Sequence, residues 1–533
     1  MRSKALGLMI APLLVALVAN CSGSPPLTPL PPVPPSATPV ASSAASSAAW
    51  VPAVDAPFRQ QAPAAAPETA WTAPLPSEQR LSNGMHVLLV ERTQLPIVAV
   101  QVVTRRGADQ QRNLGVGSFA GRMLEQGTKT RTALQVSDDY DAIGAQHGAY
   151  VTWDSGGAWM KVLPQSLDKG LEILGDIIQN PAFSAEEVER VRSQQLATWR
   201  QMLDSPQALL SRTTARTLYA NHAYGSILLG DEDALKKLSR QDLVAFYNAT
   251  FVPSETAIVV VGNTKAAELI PKLEKVFGGW KKAAPALRKV PTAPAVHREI
   301  VLVDQPGAPQ SNIAVAGIGV DRSVKDRDAI DVANTLFGGM FSSRLNLNLR
   351  EKHAFTYGAR SRFDMRHGAG PVTSWAAVDT PNTGAALREI LNELQGFCRE
   401  DVTQDELGRA LGQIVKSMPG DFEGAQSTAS QVADLWVYGY ALDEYRTVAA
   451  RVGQVTPAEV RRVAADRMSP ANAVIVVVGD RKVVLPQLVD LAFGGIKIVD
   501  KQGKVLEAVE GKSPAIDLAC RPAAASPGPA GRR

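Results

Sequence analysis

Two periodicities divide the chain. Short, nearly unbroken apolar runs stand at 87–91, 97–104 and 257–261, and they predict strands. Asn83-Gly84 is a turn signal just before the first. The first two runs read as an antiparallel pair around Pro96, and 150–160 reads as further strands. Elsewhere the apolar residues recur every three or four positions. Val116, Phe119, Ala120, Met123 and Leu124 put one buried stripe on a helix ending at Gly127. Helices are also expected over 132–144, 164–179, 184–203 and from 239. Ser184 with Glu187 has the spacing of a capping box, and Pro206 follows that helix.

The pattern repeats. Residues 251–265, FVPSETAIVVVGNTK, align with 468–482, MSPANAVIVVVGDRK, at a constant offset of 217. The preceding helices match too: Ser239 with Asp242, and Thr456 with Glu459, are capping signatures, the second with Pro457 at the first helical position. LPIVAVQVVTRRG from Leu95 pairs more loosely with APQSNIAVAGIGV from Ala308. So long a period means duplicated domains and not a solenoid. The fold class expected is α+β, with two homologous domains of mixed sheet packed with helices, 78–285 and 286–505. The Ala-, Pro- and Lys-rich stretch 281–295 joins them, and a disordered tail is expected over 506–533.

Length agrees, since 533 residues exceed one core. Lys+Arg number 56 against Asp+Glu 52, which gives no electrostatic case for nucleic acid as a partner. The first 21 residues read as a signal peptide, with Arg2 and Lys4 before an apolar run too short to span a membrane. Val18-Ala19-Asn20-Cys21 resembles a bacterial lipoprotein box, with Asn20 departing from it; an ordinary secreted protein is the alternative. Lipidation at Cys21 would place the protein in the bacterial cell envelope, anchored to the outer membrane and facing the periplasm. Ser22 at the next position favours that membrane. Residues 22–77 are a Pro/Ala/Ser-rich linker. Cys398 and Cys520 remain. Cys398 falls in a helical pattern and Cys520 in a loose tail, so no structural disulfide is expected.

Candidate chemistry centres on the 115–128 helix, GVGSFAGRMLEQGT. It resembles the zinc-binding helix of the pitrilysin/insulinase peptidases, whose inverted motif is H-x-x-E-H. Gly115, Phe119, Met123, Leu124, Gly127 and Thr128 keep the frame. Ser118 stands at the first His, Gly121 at the Glu and Arg122 at the second His. Counting forward to the family's last ligand, a Glu, reaches Ala197 and Thr198. A catalytic zinc needs three imidazole, thiolate or carboxylate ligands and a water. A guanidinium repels the ion, and without the Glu no general base stands beside the water. The resemblance therefore implies a metallopeptidase homologue with no cofactor on this chain.

A second segment keeps the family's pattern. GGMFSSRLNLNLREKHAFTYG, 338–358, resembles G-G-x-x-S-S-R-L-x-x-x-L-R-E-x-x-x-x-x-Y. In active members an Arg and a Tyr seven apart hold the substrate backbone and the oxyanion; Arg350 and Tyr357 match them. Guanidinium and phenol suit developing negative charge. The plain alternative makes Arg350 a solvated helix charge and Tyr357 a core aromatic. Resemblance to the branch in which two chains close around a chamber implies a zinc-bearing homologous subunit as partner, with unfolded peptides as ligands. The alternative is a peptide-binding or structural scaffold. No two of the six histidines are three to five apart, so no helical metal pair exists. The acidic run 138–141 lacks the Gly and Glu of a calcium loop, and Ser118 has no adjacent base.

Overall fold

A computed structural model describes residues 71–510 together with Leu518 and Cys520. The signal peptide, Cys21 and nearly all of the linker lie outside the described residues. The first sheet comprises β1 (Ser77–Arg80), β2 (His86–Glu91), β3 (Val98–Thr104), β4 (Gln146–Val151), β5 (Gly156–Val162) and β6 (Thr256–Gly262), in the order β1-β2-β6-β3-β5-β4. The second comprises β7 (Glu299–Asp304), β8 (Gln310–Ile318), β9 (Ala359–Phe363), β10 (Pro371–Asp379), β11 (Val474–Gly479), β12 (Gly495–Val499) and β13 (Val505–Val509), in the order β13-β12-β7-β11-β8-β10-β9. Five strands of each sheet follow the same order, so the sequence repeat is a repeat of topology.

One expectation is corrected. β2 and β3 do not pair with each other; β6 lies between them, parallel to β2 and antiparallel to β3. The reason is apolarity on both faces. Every residue of β6 is buried, and such a strand belongs at the centre of a sheet. β11 takes the equivalent place between β7 and β8. The helix starts follow the sequence more closely. Thr132, Ser239, Thr403 and Thr456 each close a capping box. Ser184 caps through the Glu187 amide alone, because the Glu187 carboxylate pairs with Arg190.

The two faces of each central strand are covered from different halves of the chain. Ile258 and Val260 of β6 pack into the core of their own domain. Ala257, Val259 and Val261 face the other way, against Ala429, Val432, Ala433 and Val437 of the Ala425–Tyr438 helix. Reciprocally, Val474, Val476 and Val478 of β11 pack with Leu209, Leu210 and Leu218 of the Pro206–Tyr219 helix. Each half thus gives a helix to the other's sheet. Arg92 adds polar contacts, donating to the Phe422 carbonyl at 2.8 Å and the Thr428 hydroxyl at 3.2 Å. Fully burying a valine contributes about 1.5–3 kcal/mol, so a half expressed alone would expose a wide apolar sheet face. We expect residues 71–285 to be insoluble or molten alone and to regain cooperative unfolding when co-expressed with 286–533. A sharp, reversible denaturation of the isolated half would show that the exchanged helix is dispensable.

The tail is also corrected. β13 pairs with β12, and Leu518 is buried in the second core. Cys520 forms a disulfide with Cys398, with Cα atoms 5.5 Å apart. Cys398 sits on the buried face at the end of the Thr383–Arg399 helix, where the returning chain reaches it. Among the described residues no helix is long and apolar enough to cross a membrane.

Candidate functional site

The Val116–Met123 helix packs its apolar stripe into the first core, as its spacing requires. It carries three of the four metal-motif positions, Ser118, Gly121 and Arg122; the fourth, Thr198, lies on the Ala185–Met202 helix. Gly121 is buried against β4, and a Cβ there would meet Val151 Cγ2 at 2.9 Å, the Val151 amide at 3.0 Å and the Tyr150 carbonyl carbon at 3.1 Å. Overpacking of that kind forces backbone shifts, so the position of the general base is closed by the strand itself. Arg122 points into solvent, and Ser118 is half-buried. Thr198 is exposed and donates to the Gln194 carbonyl of its own helix at 3.0 Å. A gapless count therefore lands on the wrong face. The inward face of the Ala185–Met202 helix carries Val188, Val191, Gln195 and Trp199, while Arg192 lies over the Phe119 ring at 5.6 Å. Gln195 is fully buried, and neither end of its amide has a partner among the described residues. An amide, a hydroxyl and a guanidinium do not supply a zinc donor set.

The second segment is built differently. Leu345 and Leu349 are buried in the second core. Arg344 makes a two-pronged contact with Glu406, at 2.7 and 2.9 Å. That bond holds the Glu406 carboxyl down at about 2, against the effect of burial and with help from the Thr403 amide. Glu406 also closes the capping box of the Gln404–Asp421 helix, so Arg344 fixes the segment to its scaffold. Arg350 belongs to the wide helical turn Leu347–Lys352 and remains near the surface. Its guanidinium lies 4.5 Å from the Phe341 ring centroid and 3.5 Å from Glu351. The chain then reverses through Ala354, at φ 53°. Tyr357 follows on a tight turn in which Thr356 Oγ1 accepts from the Gly358 amide at 3.1 Å. Tyr357 is 92% exposed and Phe341 67%. Tyr357 is thus not a core aromatic. Phe341, the platform for Arg350, stands four residues before Leu345, outside the apolar stripe of the segment, and its sequence position gave no signal of that contact.

A further cluster joins the domains. Asp109 and Asp154 of the first and His367 of the second bring one ligand atom each within 4.8 Å of the others, the one such group among the described residues. His367 Nδ1 lies 3.0 Å from Asp109 and 3.6 Å from Asp154, and the Tyr438 hydroxyl donates to Asp154 at 3.0 Å. No sequence spacing could show this cluster, because 258 positions separate Asp109 from His367. Burial opposes the imidazolium, but the hydrogen bond to Asp109 and the charges of both aspartates outweigh it and raise the His367 pKa. Burial raises Asp154, against the charge of His367. Unfolded imidazole titrates at about 6.5. A folded value above that gives a contribution that is full below about pH 6.5 and is lost as pH rises through the folded value. The raised Asp154 acts in the same sense from lower pH. We expect urea midpoints to fall between about pH 6 and pH 8.5, and His367→Gln to flatten that slope. An equal slope in the variant would remove His367 from the interdomain linkage.

Two duplicated α+β domains, a helix in the frame of an inverted zinc motif and an Arg–Tyr segment define the architecture of a zinc peptidase; here the ligand positions are vacated. Residues 86–232 match the family model for insulinase (peptidase family M16), and residues 237–414 match that for the peptidase M16 inactive domain. An uncharacterized zinc protease of Rickettsia felis is 24% identical over 345 residues, spanning 63% of this chain and 81% of that protein. The crystal structure of a peptidase M16 inactive domain from Pseudomonas fluorescens superposes with a TM-score of 0.71 at 22% identity, covering 76% of this chain and 98% of that one. A protease from Helicobacter pylori superposes equally well, with a TM-score of 0.71 at 20% identity, over 76% and 100%. The chain belongs to peptidase family M16.

Proposed function

We propose that this chain is the zinc-less subunit of a two-chain M16 peptidase. It would bind unfolded peptide and present Arg350 and Tyr357 to the zinc site of a homologous partner. The observation that carries the reading is the asymmetry of the two motifs. The metal helix is closed at Gly121 by β4 and carries Ser118, Gly121 and Arg122 at its motif positions, whereas Tyr357 stands in solvent and Arg350 lies on the exposed ring of Phe341. An exposed tyrosine and an exposed arginine–ring stack are residue types enriched in buried interfaces. The Cys398–Cys520 bridge favours an oxidising compartment. Together with the signal-like N-terminus and the box around Cys21, it supports a place in the bacterial cell envelope, on a lipid anchor or in the periplasm.

The test is reconstitution. The purified protein, alone and mixed with a zinc-bearing M16 chain of the same organism, is assayed against an unstructured peptide. We expect no cleavage by this chain alone and cleavage by the mixture well above that of the zinc chain by itself. If the mixture never exceeds the zinc chain, the catalytic partnership is wrong and a scaffold or peptide-binding role takes its place.

A further inference from the structure

A basic cavity of about 540 Å³ lies beside the lead-in to the Val116–Met123 helix. Its walls come from that lead-in, the second half of the Pro206–Tyr219 helix, the turn after it and the interdomain join. Arg112, Arg212, Arg216 and Arg288 line it. Among the described residues none of the four forms an ion pair. Arg212 donates to the carbonyls of Lys501 and Gln502, at 3.0 and 2.8 Å, and Arg288 to that of Gln111 at 3.0 Å. Carbonyls satisfy N–H groups without cancelling charge. Arg212 is only 7% exposed, and burial together with the charge of Arg216 lowers its pKa. His222 is also on the wall, with its Nδ1 3.0 Å from the Tyr224 amide nitrogen and its Nε2 3.0 Å from the Pro291 carbonyl oxygen. The acid on the wall, Asp231, caps the Glu232–Lys237 helix through the Ala234 amide.

A second observation points to a ligand. Gln111 also lines the cavity, is 3% exposed, and has no hydrogen-bond partner for either end of its side-chain amide among the described residues. Leaving such a group unpaired costs about 1–3 kcal/mol, which a bound ligand would offset.

We propose that this cavity binds a phosphate-type oxyanion carrying at least two negative charges, a phosphate ester or a pyrophosphate. Guanidinium forks match phosphate oxygens two at a time, and a single carboxylate would leave most of the charge uncancelled. The site does not depend on the peptidase reading, because it shares no residue with the Arg350–Tyr357 surface.

The test is calorimetric titration of the full chain, at fixed ionic strength, with sodium pyrophosphate, glycerol 3-phosphate and citrate. We expect one site per chain for pyrophosphate or the phosphomonoester, with citrate at least tenfold weaker. Preference between the first two identifies the source as a free anhydride or an ester. Arg112→Gln and Arg216→Gln, both at exposed positions, should each weaken binding at least tenfold while leaving the circular dichroism unchanged. Absence of phosphate binding, equal binding of citrate, or unchanged affinity in both variants would overturn the assignment.

Discussion

Cys398→Ala should destabilise the protein by about 2–5 kcal/mol, the largest stability effect of any single substitution considered. The bridge joins residues 122 apart in sequence. In the chain-entropy treatment, a closed loop of that order restricts the unfolded chain by about 4–5 kcal/mol. A direct native contribution adds to it. The bridge holds the chain end where Leu518 is buried in the second core, so its loss releases an apolar contact as well as a constraint. Alanine is the substitution of choice because Cys398 is itself buried and alanine brings no polar group into the core. Denaturant unfolding of the variant, and of the wild type with reductant, should give the same loss. A change below about 0.5 kcal/mol, the scale of an ordinary surface substitution, would mean that the tail contributes nothing to the fold.

Arg350→Ala should reduce kcat of the reconstituted two-chain enzyme by about 100- to 1,000-fold, the scale seen when one oxyanion donor is removed. The effect belongs in kcat and not in KM if the guanidinium meets charge that develops only in the transition state. The substitution should leave the fold intact. Arg350 makes a ring contact and an ion pair with its own neighbour, whereas the adjacent Arg344 is tied to Glu406. Arg344→Ala is therefore the structural control. It should lower stability, and any loss of rate should track the loss of folded protein. An unchanged kcat in Arg350→Ala would leave Arg350 a solvated charge.

The parts of the fold written in local patterns were legible. β6 and β11 announced themselves as matching apolar runs, and the paired capping residues marked the helices before them. What the sequence did not carry was which faces meet. An amphipathic helix shows that it buries a stripe and not against which sheet, so the exchange of the 206–219 and 425–438 helices was invisible. The insertion of β6 between β2 and β3 was hidden for the same reason: its partners lie more than 150 positions upstream. The Cys398–Cys520 pairing depended on a tail whose composition suggested no structure.

The candidate site divides along the same line. The vacancy of the metal motif was readable at Ser118, Gly121 and Arg122, because it is a statement about side-chain chemistry. Its closure was not, since the contact of Gly121 with Val151 is tertiary. Thr198 shows the limit of counting: three positions earlier, Gln195 faces the core. Arg350 and Tyr357 were found by pattern, but the stacking of Arg350 on Phe341 and the exposure of Tyr357 needed coordinates.

The most direct test of a vacated metal helix is elemental analysis of the purified protein, in wild type and in His367→Gln. The variant removes a ligand from the Asp109–Asp154–His367 group, the one cluster among the described residues with three side chains placed to hold a cation. We expect His367→Gln to hold well under one zinc in ten chains. One zinc per chain retained in His367→Gln would contradict the account, because the 116–123 helix would then hold metal with a donor set that has no imidazole and no carboxylate.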